Sequence, residues 1–254
     1  MARSGGVAGG ILVATVVALG PSLVAPAGAG EATLEKVEAA VPRIEEMARK
    51  LIADGDVPGL AIGIVFEDKV VYLGGFGVRE AGKPAKVDAD TVFQLASFSK
   101  PIAATIVAAL VSDGALSWDS RIADLDPLFE LEDAYPSQQV TVRDFFAHRS
   151  GLPGVAGNEL EAIGFDRTEI LHRLRFVTPA SSFRSAYSYA NFGITAGAVA
   201  AAAGAGYAWE EAAEEKLYQP LGMTSTSSRY DDFTSRTNRA ALHIRDGGAW
   251  AARL

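Results

Sequence analysis

The amino-acid sequence predicts an α+β fold in which a helical body is set against an antiparallel sheet. Two observations predict it: apolar residues recur at helical spacing in several long stretches, and two β-rich runs stand back to back near the N-terminus. With 254 residues, 49% of them apolar and 21% charged, the chain can bury a substantial core. Intrinsic disorder is therefore not expected.

The first 29 residues are typical of a secretory signal peptide. Arg3 supplies a positive start, residues 9–24 form an apolar run, and the small residues 27–29 fit a cleavage site. A membrane anchor is the alternative, but glycines and a proline interrupt the run, which is short for a span. We expect export to a secreted or periplasmic location and a domain over residues 30–254.

A long helix and a hairpin are predicted at the start of this domain. Apolar residues recur at helical spacing from Leu34 to Leu51, which predicts a helix with one face turned to the core. Residues 59–66 and 70–76 are β-rich and only three residues apart, which indicates a hairpin. A lone hairpin is marginal in water, and no convincing long strand follows it. We expect either that helices cover it or that strands are missing from this chain.

The remainder of the sequence favours helices. A buried helix is predicted from Lys100 to Gly114, followed by a loop-rich stretch with short helical pieces. A charged surface helix is predicted over residues 163–176, and alanine-rich helices over residues 191–203 and 209–217.

The charge balance and the absence of cysteine exclude several classes of function. Against 31 acidic residues stand 23 Lys and Arg, a formal net charge of −8, and no basic stripe occurs. Such a chain repels a phosphate backbone, so a nucleic-acid partner is not expected. Without cysteine there is no disulfide, thiolate metal site or cysteine nucleophile.

The segment from Ser97 to Pro101 is the most informative one. Pro101 has no N–H and is tolerated only in a first helical turn, so a helix begins near Ser97. Ser97 and Lys100, three residues apart, share a helical face, and free amides at a helix start can stabilise an oxyanion. The segment therefore offers a nucleophile beside its base, although a capping serine near a solvated lysine gives the same spacing.

Tyr189 and Asn191 form a second candidate segment. They alternate along an extended or loop stretch and can point to the same side. A phenol beside an ammonium group is easier to deprotonate, so Tyr189 near Lys100 can relay the serine proton. Asn191 offers a donor and an acceptor to a substrate amide. The alternative is an aromatic-rich loop with Asn191 as a helix cap.

The histidines are weak candidates for a base or a ligand. His148 precedes a Ser-Gly-Leu-Pro turn and is expected to shape a loop by hydrogen bonding, while His172 and His243 are isolated. No metal-ligand cluster or phosphate-binding glycine loop occurs in the sequence. No metal or organic cofactor is therefore predicted.

Together these segments resemble the serine penicillin-recognising hydrolases, in the branch of class C β-lactamases, D-alanyl-D-alanine carboxypeptidases and β-lactamase-like esterases. The resemblance extends over roughly residues 40–245 and implies a β-lactamase/transpeptidase-like fold. The other stretches that match in order and spacing are the N-terminal helix and hairpin, residues 93–96, residues 148–153 and residues 221–223.

The resemblance also implies roles for four residues. Ser97 is the expected acylated nucleophile, and Lys100 its proton acceptor or electrostatic partner. Tyr189 is the expected general base and then acid, and Asn191 orients the substrate. Residue identity alone leaves open whether Lys100 or Tyr189 takes the proton.

One departure from the family pattern concerns its third motif, Lys-Thr-Gly or His-x-Gly, on a sheet strand. Neither triplet follows Asn191, and residues 243–245 are not a match. The chain resembles the first two-thirds of such an enzyme, with the N-terminal hairpin as the part of the sheet that is present. This agrees with the shortage of predicted strands.

The leading hypothesis is an exported serine hydrolase that acts through an acyl-enzyme on a small-molecule or peptide substrate. A β-lactam, a D-Ala-D-Ala peptide of peptidoglycan and a small ester all remain open, as does the oligomeric state. The alternative is a non-catalytic ligand- or cell-wall-binding homologue, or an inactive truncated fragment. A third hypothesis is a helical interaction protein whose motif matches are accidental.

Overall fold

A computed structural model describes residues 31–253 as a helical body with two separate antiparallel hairpins. The signal peptide predicted over residues 1–29 lies outside this range. No helix within residues 31–253 is long and apolar enough to cross a membrane. In chain order the elements are α1 (Leu34–Ala53), β1 (Gly59–Phe66), β2 (Lys69–Gly77), α2 (Ser99–Ser112), α3 (Ile122–Leu125), α4 (Ala134–Gln139), α5 (Val142–Phe146), α6 (Asn158–Ala162), α7 (Arg167–Arg173), α8 (Asn191–Gly204), α9 (Trp209–Ala213), α10 (Tyr230–Ser235), β3 (Leu242–Asp246) and β4 (Ala249–Arg253).

The first hairpin forms as the sequence predicts. Strands β1 and β2 pair in antiparallel register from Gly59 opposite Gly77 to Phe66 opposite Lys69. The turn consists of Glu67 and Asp68, both left-handed with φ of 47° and 60°. Two left-handed residues in a hairpin turn match the right-handed twist of the flanking strands. The turn therefore has two residues, one fewer than the three that separate the predicted β-rich runs.

Helix α1 lies on this hairpin, and the prediction of a core-facing helix is wrong for much of its apolar face. Ala48 is buried, but Met47 is 58% exposed. A two-stranded sheet is too narrow to cover the whole apolar face of a 20-residue helix. One polar contact joins the two elements, since the Tyr72 hydroxyl donates to Glu45 Oε1 at 2.9 Å.

The central core surrounds helix α8, which packs against α2, α3, α5 and α7. Its alanines and glycines permit close approach: a Cβ on Gly197 would lie 3.1 Å from the Cβ of Phe145. A second cluster of buried residues joins α2 to α9 and to the π-helical turn that follows it. The largest fully buried side chains of the described chain include Phe145, Ile106, Leu110, Ile122, Ile170 and Leu174.

The charged surface helix predicted over residues 163–176 is wrong in extent and burial. Helix α6 ends before Gly164, whose φ is 92°, and α7 begins after Asp166. Asp166 Oδ1 accepts from the Glu169 amide at 2.8 Å and so caps α7. Ile170 and Leu174 are buried, because one face of this stretch packs against the central core, whereas His172 and Phe176 on it remain exposed.

The second hairpin, β3 with β4, was not predicted from the sequence. It turns at Gly247 and Gly248, which both have positive φ, and pairs Leu242 with Arg253. It forms its own sheet and does not extend β1 and β2. Trp250 Nε1 donates to the Gly55 carbonyl at 2.9 Å, which ties the hairpin to the end of α1.

Candidate active site

Ser97 lies at the start of a helix, as the proline pattern predicts. It occupies the middle of a 3₁₀ turn, Ala96–Phe98, that leads directly into α2. Pro101 falls in the first turn of α2, where no intrahelical partner for its missing N–H is needed. Ala96, directly before Ser97, has a left-handed φ of 46°, which is strained for a residue with a Cβ.

The structure brings all four predicted site residues together. Ser97 Oγ lies 2.6 Å from the Tyr189 phenol oxygen. Lys100 Nζ donates to Ser97 Oγ at 3.1 Å and to Asn191 Oδ1 at 2.7 Å. The alcohol, the ammonium group and the phenol are therefore in one hydrogen-bonded chain, although 92 residues separate Ser97 from Tyr189.

The groups hydrogen-bonded around Ser97 lower the pKa of Tyr189. The Lys100 ammonium acts as a nearby donor, and Ser97 as a second one, and these interactions lower the pKa of Tyr189. Lys100 Nζ also lies 4.6 Å from the centre of the Tyr189 ring. Because of this lowered pKa, the Tyr189 phenol ionises more readily than a free phenol. The oxygen of the resulting phenolate is in position to accept the Ser97 proton.

His148 holds the segment that carries Tyr189 and Asn191. Its Nδ1 accepts from the Ala190 amide at 3.0 Å, and its ring lies 4.7 Å from that of Tyr189. Burial, and then the Lys100 charge, lower the pKa of His148, which keeps the imidazole neutral and able to accept. The loop-shaping function expected for His148 agrees with this geometry.

An ion pair between the buried Asp144 carboxylate and the partly exposed Arg184 also supports the site region, and sequence reasoning missed it. Arg184 donates to both carboxylate oxygens of Asp144, at 2.9 and 2.7 Å. Burial alone would raise the pKa of Asp144, but hydrogen bonds from Arg184 and Thr141 outweigh it and lower the pKa. Thr141 and Asp144 form a capping box on α5, and their spacing is a sequence signal that could have revealed this carboxylate.

Asn158 is a second residue that the sequence did not reveal. Its Oδ1 accepts from Asn191 Nδ2 at 3.3 Å, which leaves the Asn191 oxygen directed at Lys100. Gly157, with φ of 83°, sets the start of α6, and a Cβ there would lie 2.6 Å from the Phe192 ring. No local pattern indicates this contact, because it depends on packing between α6 and α8.

Two cavities meet beside the nucleophile. One of about 600 Å³ is lined by Ser97, Lys100 and Asn191 and continues between α2, α7 and α8. The other, of about 780 Å³, also reaches Ala96, and both are bordered by Glu161 and Trp209. Cavities of this size hold small organic ligands.

The chain is similar to known proteins over most of its described length. A family model described as Beta-lactamase matches residues 44–253. "Penicillin-binding protein 4" of Amycolatopsis lactamdurans is 28% identical over 179 residues, which are 70% of this chain and 47% of that protein. The chain thus spans about half the length of this relative.

Solved structures show the same fold. A structure of the octameric penicillin-binding protein homologue from Pyrococcus abyssi aligns with a TM-score of 0.72 and 23% identity, over 84% of this chain and 50% of that one. "EstCE1, a hydrolase with promiscuous acyltransferase activity" aligns with a TM-score of 0.74 and 17% identity, over 86% and 60%. The predicted α+β, β-lactamase/transpeptidase-like fold is confirmed.

Proposed function

Since the chain belongs to the beta-lactamase family, we propose that it is a serine hydrolase that transfers an acyl group from an amide or ester to water through an acyl-enzyme on Ser97. The observation that carries the proposal is the hydrogen-bonded chain of Tyr189, Ser97 and Lys100, with contacts of 2.6 and 3.1 Å. Contacts of this length are what a nucleophile and its base need.

In the first half-reaction, Ser97 Oγ attacks the substrate carbonyl carbon and its proton passes to the Tyr189 oxygen. The bond to the leaving group then breaks, and the Tyr189 hydroxyl returns the proton to the departing nitrogen or oxygen. The Lys100 side chain beside Tyr189 lowers the pKa of the phenol, so that its oxygen ionises more readily. Asn191, held by Lys100, offers its amide to the substrate.

In the second half-reaction, water replaces the leaving group. Tyr189 takes a proton from the water, the hydroxide attacks the acyl carbon, and the ester bond to Ser97 Oγ breaks. The proton then returns to Ser97, which restores the resting site. The backbone amide of Ser97, at the start of this turn, is the proposed donor to the developing oxyanion, since the Phe98 and Ser99 amides already donate to the Leu95 and Ala96 carbonyls.

The proposal is tested with a labelled β-lactam and a fluorophosphonate, read by intact-protein mass spectrometry. Wild-type protein is expected to gain one adduct mapped to Ser97, and Ser97→Ala to gain none. Ser99→Ala is the matched control, since Ser99 is an exposed serine two residues away, and it is expected to keep the adduct. A folded wild-type protein that forms no adduct with either reagent contradicts the proposal and favours a binding homologue.

We also propose that the chain is exported, on the strength of the pattern in residues 1–29. N-terminal sequencing of the protein recovered outside the cytoplasm is expected to begin near Gly30. Recovery of the uncleaved chain in the cytoplasm alone contradicts this.

A further inference from the structure

Much of the wall of the 600 Å³ cavity beside Ser97 is apolar, which the hydrolytic chemistry does not require. The reactive polar groups come from Ser97, Lys100 and Asn191, and further polar side chains, including Glu161, Arg167 and Thr195, interrupt the wall. The apolar part includes Phe165, Ile170, Ile194 and Trp209. A cavity of this composition binds an apolar group by removing it from water.

Small residues on two helices make room for this interior. Ala103 on α2 and Ala198 on α8 both line the cavity and are buried, at 7% and 4% exposure. A larger side chain at either position would fill the gap between the helices. The depth available to a ligand therefore depends on these two alanines.

The position of Tyr189 indicates which half of a substrate enters. The cavity is lined by Ser97, Lys100 and Asn191. Tyr189 is not among the described residues that line it. The residue that returns a proton to the leaving group must stand beside that group. The leaving group therefore faces Tyr189, and the acyl half faces the cavity.

Lys100 stands at the reactive end of the cavity, and the other charges on its wall disfavour an anionic acyl group. The Arg167 guanidinium, on the wall, is paired with Glu210 by two hydrogen bonds at 2.8 and 3.4 Å. Glu161 adds a carboxylate where the two cavities meet. A negatively charged acyl tail would meet this carboxylate and would lose hydration against the apolar walls.

We propose that this cavity is an acyl-binding pocket that selects substrates with a neutral, apolar acyl group, with Ala198 and Ala103 setting the length it accepts. The proposal rests on the proposed acyl transfer through Ser97 and adds a substrate class to it. It predicts that esters of medium-length fatty acids are cleaved better than acetates.

The kinetic test uses p-nitrophenyl acetate, butyrate and hexanoate. Burial of each methylene contributes about a four-fold gain, so kcat/KM is expected to rise roughly 10²-fold from acetate to hexanoate. Ala198→Leu is expected to remove most of this rise and to keep acetate cleavage, which also shows that the variant folds. Ala203→Leu, at an exposed position of the same helix, is the control and is expected to keep the rise.

Three kinetic results would overturn the proposal: a flat or falling wild-type series, an equal loss for acetate and hexanoate in Ala198→Leu, or the same loss in Ala203→Leu. The anionic p-nitrophenyl ester of adipic acid extends the test. It is expected to react at least ten-fold more slowly than hexanoate, and equal rates contradict the exclusion of charge.

A binding measurement separates this proposal from the proposed reaction. In the Ser97→Ala protein, which cannot be acylated, hexanamide is expected to shift the indole N–H signal of Trp209 in an NMR titration, and acetamide is not. Adding Ala198→Leu is expected to abolish the shift. If wild type forms no acyl-enzyme but hexanamide still binds, the hydrolase assignment fails and the pocket stands; if hexanamide does not bind, the pocket fails by itself.

Discussion

The helical body and the unit formed by α1 with the first hairpin differ in how well their apolar side chains are covered. Ile106, Val107 and Ile122 in the helical body have no exposed surface, whereas Val65 and Leu73 in the hairpin are 65% and 57% exposed. In the described chain, neither core cluster includes a residue of α1, β1 or β2. All four site residues belong to the well-covered part, so the geometry of the site depends on the helical core.

Two tyrosines show the same contrast in their chemistry. Tyr72, between the hairpin and α1, is partly desolvated and bonded to the Glu45 carboxylate, which raises its pKa. Tyr189, beside the Lys100 ammonium and Ser97, has a lowered pKa. A phenol thus gains or loses acidity according to the charge beside it.

Exchange of each tyrosine for phenylalanine gives the largest expected difference between the regions. Tyr189→Phe is expected to lower kcat/KM for an accepted ester about 10²- to 10⁴-fold, because it removes the acid–base group. Tyr72→Phe is expected to change it less than about two-fold. In a spectrophotometric titration, the phenolate absorbance that Tyr189→Phe removes is expected at lower pH than that removed by Tyr72→Phe. The reverse order contradicts the electrostatic contrast.

Truncation of apolar side chains tests the contrast in packing. Phe145→Ala is expected to lower the free energy of unfolding by about 3–5 kcal/mol, because it leaves a cavity against α8. Leu73→Ala is expected to change it by less than about 0.5 kcal/mol, since that side chain is largely in water. Urea unfolding of both variants measures this, and equal losses would mean that the hairpin is as tightly packed as the core.

Replacement of Asp144, the partner of Arg184, is expected to lower the free energy of unfolding by a smaller amount that depends on pH. Asp144→Asn is expected to cost about 2 kcal/mol at pH 7, because it weakens charged hydrogen bonds to a buried group. Since folding lowers the pKa of Asp144, its contribution is present above the unfolded value near 3.8 and is lost as pH falls through the folded pKa. Urea unfolding between pH 7 and pH 3 is expected to show the difference between variant and wild type narrow as the pH falls below 3.8. A constant difference contradicts this role.

The smallest expected effect concerns the contact that orients Asn191. Asn158→Leu is expected to lower kcat/KM about five-fold, because it removes a hydrogen bond of about 1 kcal/mol and leaves the Asn191 amide held by Lys100 alone. Asn158→Asp, which keeps the acceptor oxygen, is expected to recover part of the lost kcat/KM. Glu45→Gln, in the α1 unit, is the control and is expected to have no effect on the rate. A loss in Glu45→Gln equal to that in Asn158→Leu would mean that the two regions are coupled.

Local patterns were enough to predict several parts of the molecule. Pro101 fixed the helix start at Ser97, and the short interval between β1 and β2 indicated a hairpin. The pairing of Ser97 with Tyr189 followed from resemblance to a family, since no local rule connects residues so far apart. The function of these residues stays a prediction until adducts are measured.

Other parts depended on tertiary packing and were missed. The helix expected over residues 163–176 begins only after Asp166, and Ile170 and Leu174 on it turn inward to the central core, whereas Ile163 and Phe176 are exposed. Asn158 contacts Asn191, and Arg184 contacts Asp144, and in both cases the partner is distant in the sequence. The Gly247-Gly248 turn of the second hairpin was a local signal, but the strands beside it have only five residues each.

The hydrogen bond from the Ala190 amide to His148 has a consequence for any pH–rate profile. When His148 takes up a proton, its Nδ1 can no longer accept, and two donors then face each other between Tyr189 and Asn191. Because burial lowers the pKa of His148, this happens on the acidic side of 6.5. A fall in rate on the acidic side of the profile would then report the loss of this backbone hydrogen bond. The residue that titrates, His148, does not itself bond to the reacting atoms.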